Sequence, residues 1–461
     1  CAECHSTDVD MGYDTTTGSF TTTYAEVSVG CEACHGPGSI HVAQVESDTA
    51  DENFGLPVNL DDHRGTAWLP NADTGIASRS APLDGLQRQP EACGRCHARR
   101  GVVAPDYDYG RPLAATHAVA LLDERLYFAD GQISEEVYVY GSFLQSAMYA
   151  AGVTCSDCHD PHASTLRTGP EPDDVCATCH LPTKFATREH SGHDVAAAGC
   201  VDCHMAERVY MGVDGRRDHS FRIPRPDLSV TLGTPNACNV CHTDKPAQWA
   251  ATQVQEWYGH VPQGLQNWAG TFAASRAGDP RASDYLLQLI RDSGTPAIVR
   301  ATALTQVGLY LDAQLLDAVV RGLRDDDPGV RAATAGMLEQ LPVGLRVKLA
   351  FPLLEDDVRA VRIEAARVLA TVPAGDLDDR QRLLLEQGIE EFIASQLASA
   401  ERPEAQTNLG NLYTQRGEWQ QAEHAYRTAI ELNPAYTPAW VNLADFYRGR
   451  QDEAAADKTL R

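Results

Sequence analysis

Apolar positions along this chain fall into two regimes that meet near residue 260. Before it, Gly, Pro, Asp and Thr break up the sequence and few long apolar runs survive, a pattern that predicts short helices and loops. Beyond it the helical period takes over. Ala247 to Tyr258, with Trp249, Val254 and Trp257 within reach of one another, predicts a helix that closes the first regime. Val299-Arg300, Val330-Arg331 and Val361-Arg362 then recur every 31 residues, each followed by Ala-rich helical sequence and two preceded by acidic turns. A second period begins at Leu409-Gly410, with Tyr413, Ala422, Tyr426, Ala429 and Pro434, and restarts 34 residues later through Trp440, Leu443, Tyr447 and Ala456. Periods of this length predict paired helices stacked into a solenoid. The expected fold is therefore mainly α: a loop-rich part at 1–260, a linker at 261–280, then helical repeats at 281–375 and 376–461.

The 31-residue unit resembles short HEAT-type repeats over 285–371. That resemblance implies that the Val packs between helices while the Arg and Asp tie the inter-helix turn. The 34-residue unit resembles the tetratricopeptide repeat. Its second copy stops at Arg461 inside an expected helix, and residue 1 already opens a motif, so the protein is expected to extend past both ends.

Cysteine usage changes the picture of the first part. All fourteen cysteines fall into seven Cys-x-x-Cys-His runs. In chain order they are Cys1, Cys4 and His5; Cys31, Cys34 and His35; Cys93, Cys96 and His97; Cys155, Cys158 and His159; Cys176, Cys179 and His180; Cys200, Cys203 and His204; Cys238, Cys241 and His242. Two thiols three positions apart can add to the two vinyl groups of one porphyrin, while the next imidazole reaches its iron. Each run therefore reads as a c-type haem attachment site, with the motif His as proximal ligand. Zinc ribbons and dithiols do not require His at that fixed offset. Seven haem c groups would supply the apolar interior that residues before 243 lack. Their attachment outside the cytoplasm implies export, to the periplasm or to the extracellular or cell surface, and no stretch is long enough for a transmembrane helix.

A second axial ligand separates electron carriers from enzymes, so histidines outside the motifs matter next. There are nine: His41, His63, His117, His162, His190, His193, His219, His260 and His424. Eight precede residue 261, enough for bis-His ligation of seven irons, while His424 sits on an expected tetratricopeptide helix. His41, His162 and His219 follow motifs closely. His117 opens an apolar stretch expected to be helical, and His190 and His193, three apart, could serve two different haems. His63 in a polar loop and His260 after Trp-Tyr-Gly are the weakest candidates. Met11, Met148, Met205 and Met211 are alternative ligands, more often packing residues.

Val29-Gly-Cys-Glu-Ala-Cys-His-Gly-Pro-Gly38 and Cys155-Ser-Asp-Cys-His-Asp-Pro-His162 resemble the cytochrome c554-like and doubled Cys-x-x-Cys-His families over roughly residues 1–245. That resemblance implies closely packed haems and distal ligands from distant parts of the chain, and it supports His41, His162 and His219. The expected function is electron transfer, with no catalytic residue assigned. The repeats would dock a redox protein or another copy of the chain, including assembly into an extracellular filament. The alternative is a multihaem reductase or oxidase of a small nitrogen or sulfur compound with one open iron, yet no motif replaces its His by Lys. Net charge is −26, about three quarters of it before residue 261, which excludes nucleic acid as a partner. A chain made without haem attachment is expected to leave its first 242 residues unfolded, as rapid proteolysis of that part would register.

Overall fold

The computed structural model describes residues 2–49, 51, 53–210, 212, 214–262, 266–307 and 315–461; Cys1 and Met211 lie outside the described residues. The fold is mainly helical, and the described strands form five two-stranded sheets. Two compact units emerge, each assembled from separate stretches: 1–57, 100–118 and 319–461 in the first, 58–99 and 119–318 in the second.

In the first unit, the one-turn helices Ala2–His5 and Cys31–His35 carry the first two motifs. No apolar side chain among the described residues of 2–57 is buried, and helix Ser39–Glu46 leaves Ile40, Val42 and Val45 more than half exposed. The helical part of this unit has an ordinary core. Val330 and Val361 are buried in helices Pro328–Met337 and Arg359–Leu369. The arginine after each valine turns back to the segment preceding its own helix: Arg331 Nη1 donates to Asp325 O at 2.9 Å and Arg362 Nη1 to Asp356 O at 2.7 Å. Arg331 also holds Asp356 by two bonds of 2.8 and 3.0 Å, which joins consecutive repeats with a bidentate geometry.

Helices Pro403–Arg416 and Trp419–Leu432 form a hairpin, followed by Thr437–Gly449 and Glu453–Leu460. Tyr426, Leu443, Phe446 and Tyr447 pack together as its core. Gly410 is where the hairpin closes most tightly.

In the second unit, motifs lie on Arg88–His97, Cys155–Cys158, Cys200–His204 and Cys238–Cys241, and the fifth begins at the last residue of Pro172–Cys176. Two regions depart from the sequence reading. The stretch 261–280, expected as a linker, contains helix Ala269–Arg276, with Trp268 and Phe272 almost wholly buried. Burial of two such rings outweighs the turn signal of the surrounding glycines, at about 2–3 kcal/mol each. Residues 119–145, counted with the loop-rich part, have a core of their own in Leu122, Tyr127, Ile133, Val137 and Tyr140. Arg276 pins that segment by donating to Tyr127 O and Leu122 O at 3.1 and 2.8 Å, and Thr302 Oγ1 accepts from Leu122 N at 3.1 Å.

Replacing a helix-interior Gly by Ala ordinarily stabilises by about 1 kcal/mol. At Gly410 an added Cβ would meet the Tyr426 ring at 2.5 Å. Gly410→Ala is therefore expected to destabilise the C-terminal helices by about 1–3 kcal/mol, read from chemical denaturation followed by circular dichroism.

Candidate functional site

A Cys-x-x-Cys-His run fits one helical turn because positions i, i+3 and i+4 lie on the same face. Such a short helix leaves most of its backbone donors without internal partners, and side chains supply them. Inside two motifs an aspartate does so: Asp157 accepts from Thr154 N at 2.7 Å and Asp202 from Gly199 N at 3.0 Å. Other caps come from the preceding motif's helix. Gln89 Oε1 accepts from Ser156 N at 2.7 Å, and Asp173 accepts from Cys200 N at 3.0 Å.

These bonds bring motifs together in chain order. The Cys93 thiol is hydrogen-bonded to that of Cys155, and Cys176 to Cys200. Cys158 lies within electrostatic reach of Cys176 and Cys179, as does Cys203 of Cys238 and Cys241. Motifs three to seven thus form one neighbour-to-neighbour series within the second unit. Burial pushes the Cys158 and Cys176 thiols up to about 12. Among the described residues no group of three or more His, Cys, Asp or Glu could hold a metal ion.

The sequence treats the cysteines of every run alike, whereas the structure gives them different surroundings. Cys4 is half-buried on helix Ala2–His5, and Arg100 Nη2 donates to its sulfur at 3.9 Å. Cys34 is exposed on Cys31–His35, together with Cys31. Both runs belong to the first unit. Cys96 is half-buried one turn beyond Cys93 on Arg88–His97, and Cys93 faces a thiol of the next motif.

The histidines instead meet in pairs. His159 and His219 stack with ring centres 6.3 Å apart and planes 21° from parallel; His190 and His204 do so at 6.0 Å and 16°. His193 and His242 stand at 6.0 Å and 34°. In each pair one ring belongs to a motif and the other does not. Two imidazoles bound through nitrogen at about 2 Å to opposite sides of one iron have centres about 6.2 Å apart, so these pairs fit axial ligation of haem.

Hydrogen bonds at the other ring nitrogen strengthen the fit. Nδ1 lies 2.6 Å from Phe54 O in His41, 2.7 Å from Ser191 O in His193, 2.6 Å from Arg222 O in His204 and 3.0 Å from Arg217 O in His219. A carbonyl only accepts, so each Nδ1 carries the proton and leaves the Nε2 lone pair for a metal. Phe54 and Phe221 hold positive φ values of 54° and 49°; the first offers its carbonyl to His41, and the second sets its ring beside His219.

The remaining candidates sit differently. His63 has both nitrogens engaged: Arg79 Nη1 donates to Nδ1 at 3.0 Å, and Nε2 meets Asp157 at 2.8 Å and Thr154 Oγ1 at 3.1 Å. Trp68 Nε1 donates to the same carboxylate at 3.0 Å, making His63 and Asp157 a polar hub. His117 is buried and opens the strand His117–Val119, where an apolar helix was expected; alternation of buried and exposed positions there follows a period of two. Its ring nitrogens face Thr116 Oγ1 at 3.0 Å and Glu3 at 3.4 Å. Burial acts to raise Glu3, but His117 and Arg100 outweigh it and hold the carboxyl at about 2. His162 lies in the turn of an exposed hairpin, and His260 is exposed with Nδ1 2.9 Å from Val261 O.

Sequence reasoning missed the aromatic residues beside these rings. Trp257 meets His193 edge-on at 5.8 Å, Trp249 lies 4.8 Å from His242, and Phe185 stands between His180 and His190 at 5.6 and 5.3 Å. Three aromatic residues at 249, 257 and 258, directly after the last motif, were the available signal.

Comparisons with known proteins accord with this chemistry. Residues 147–185 match the family model of the doubled CXXCH motif, and residues 403–436 match that of the tetratricopeptide repeat. No curated protein matches the chain. A solved structure, that of the outer cell wall cytochrome OcwA, is similar at 15% identity with a TM-score of 0.36, covering 73% of this chain and 75% of that one, a likeness too distant to carry argument. The chain thus carries the doubled CXXCH motif of multihaem c-type cytochromes. It carries a tetratricopeptide repeat on its C-terminal side.

His63→Ala would take one partner each from the half-buried Asp157 and Arg79 side chains. The expected result is a loss of about 1–3 kcal/mol in stability by thermal unfolding, with the ferric haem spectrum unchanged because the ring has no nitrogen to give.

Proposed function

We propose that this protein is an electron carrier holding seven haem c groups. Their anchors are the cysteine pairs Cys1 and Cys4, Cys31 and Cys34, Cys93 and Cys96, Cys155 and Cys158, Cys176 and Cys179, Cys200 and Cys203, and Cys238 and Cys241. Haem c, when bound, supplies a one-electron ferric/ferrous couple. The observation that carries the reading is the set of three imidazole pairs 6.0–6.3 Å apart, each joining a motif His to a non-motif His. His219, His190 and His193 are read as the distal ligands opposite His159, His204 and His242, and the carbonyl-locked ring of His41 supports a fourth. Histidine on both axial positions leaves none for a substrate, so these sites favour electron transfer over reaction of a bound molecule. His63 is read as a hydrogen-bonding residue.

Chain-order adjacency of motifs three to seven supports short distances between successive sites. Exposed Ile40, Val42, Val45 and Phe54 in 2–57 would lie against porphyrin, which supports folding around the cofactor. Residues 1–260 are read as the haem-bearing part. Residues 281–375, whose Val299, Val330 and Val361 are buried and whose Arg300, Arg331 and Arg362 each bond the preceding turn, are read as HEAT-like. Together with the tetratricopeptide region they would dock a redox protein or another copy of the chain. The compartment follows from haem attachment: exported, in the periplasm or at the cell surface.

Coulometric reduction is expected to take up about seven electrons per chain, one for each haem. His219→Ala should add a high-spin ferric signal of about one haem equivalent while haem content stays constant. An unchanged low-spin spectrum in that variant would overturn the assignment at His159.

A further inference from the structure

Helix Ala247–Tyr258 carries no motif and no candidate ligand, yet it touches three of the four histidines in two neighbouring pairs. Trp249 lies 4.8 Å from His242, Trp257 meets His193 edge-on at 5.8 Å, and the Tyr258 hydroxyl donates to the carbonyl of His190. Between the two non-motif histidines stands Gly192 at φ +70°, where an added Cβ would meet the Trp257 indole at 2.5 Å. The segment is closed on itself as well: Ser191 Oγ donates to His193 O at 3.1 Å, and Thr187 Oγ1 accepts from His190 N at 3.3 Å. One rigid turn thus presents His190 to His204 and His193 to His242.

We infer that Trp257 and Tyr258 are positioning residues, and that this helix sets the rings of His190 and His193 as a single unit. The inference rests on reading these two histidines as distal ligands. Trp257 and Tyr258 are 41% and 43% exposed, whereas Ala250 and Val254 anchor the helix in the core. A Trp and a Tyr so exposed contribute little core; their closest described neighbours are the histidine-bearing segment.

The experiment uses the full holoprotein and quantifies high-spin ferric haem by electron paramagnetic resonance, with total haem as control. His190→Ala and His193→Ala should each gain about one high-spin haem equivalent. Trp257→Ala should gain between about one and two, since it supports both rings, and Trp257→Phe should restore most of the low-spin signal. Tyr258→Phe should perturb only the haem opposite His190, and Gly192→Ala should behave like Trp257→Ala. Histidine variants that change while Trp257→Ala matches the unmodified protein would overturn the positioning role and leave the ligand reading standing. Histidine variants that do not change would remove both.

Discussion

One helical turn is too short to stand alone, and that constraint organises the haem-bearing part of this molecule. Nucleating a helix fixes several residues for a single hydrogen bond, so a four- or five-residue helix needs partners from outside itself. The motif helices obtain them in two ways: from an aspartate inside the motif, as at Asp157 and Asp202, or from the preceding motif's helix, as at Gln89 and Asp173. The second way has a consequence beyond stability. A helix capped by its predecessor must lie against it, so chain order becomes spatial order from motif three to four and from motif five to six.

Asp157 also shows how one group can serve both ends. Its carboxylate completes the turn that begins at Thr154 and accepts from Trp68 while facing His63, whose other nitrogen is held by Arg79. A histidine clamped between an arginine and a carboxylate has its tautomer fixed and no lone pair to spare. This polar hub is the ground for reading His63 as scaffold beside a motif.

The seven motifs and both helical periods were legible from sequence, because each is a short-range pattern whose chemistry demands fixed spacing. The partners of the non-motif histidines were not. His219 meets His159 across 60 residues, and His63 is decided by Asp157, 94 residues away, so no local spacing could assign either. His190 and His193 were recognisable as a couple from their separation of three, but the rings they face depend on where the last two motif helices sit. The misread stretches fail for a related reason. Gly278 and Pro280 mark the turn after the helix, but Gly270 lies within it, where Trp268 and Phe272, four apart, mark a buried face that outweighs the turn signal. Residues 119–145 lie between motifs in sequence, but Arg276 and Thr302 hold them to the following helices.

The choice of second partner for the rings read as ligands completes the electrostatic picture. His41, His193, His204 and His219 all give Nδ1 to a backbone carbonyl, whereas a carboxylate faces the ring at His63, which is read as scaffold. A full negative charge about 6 Å from an iron would favour the ferric state by about 3 kcal/mol at an effective dielectric of 20. A carbonyl fixes the same tautomer with only a dipole. In a chain whose net charge is already −26, neutral partners orient the rings without lowering each potential further. The acidic surface then acts on all sites as a shared, salt-screened background, and differences between them come from burial and from the aromatic residues beside each ring.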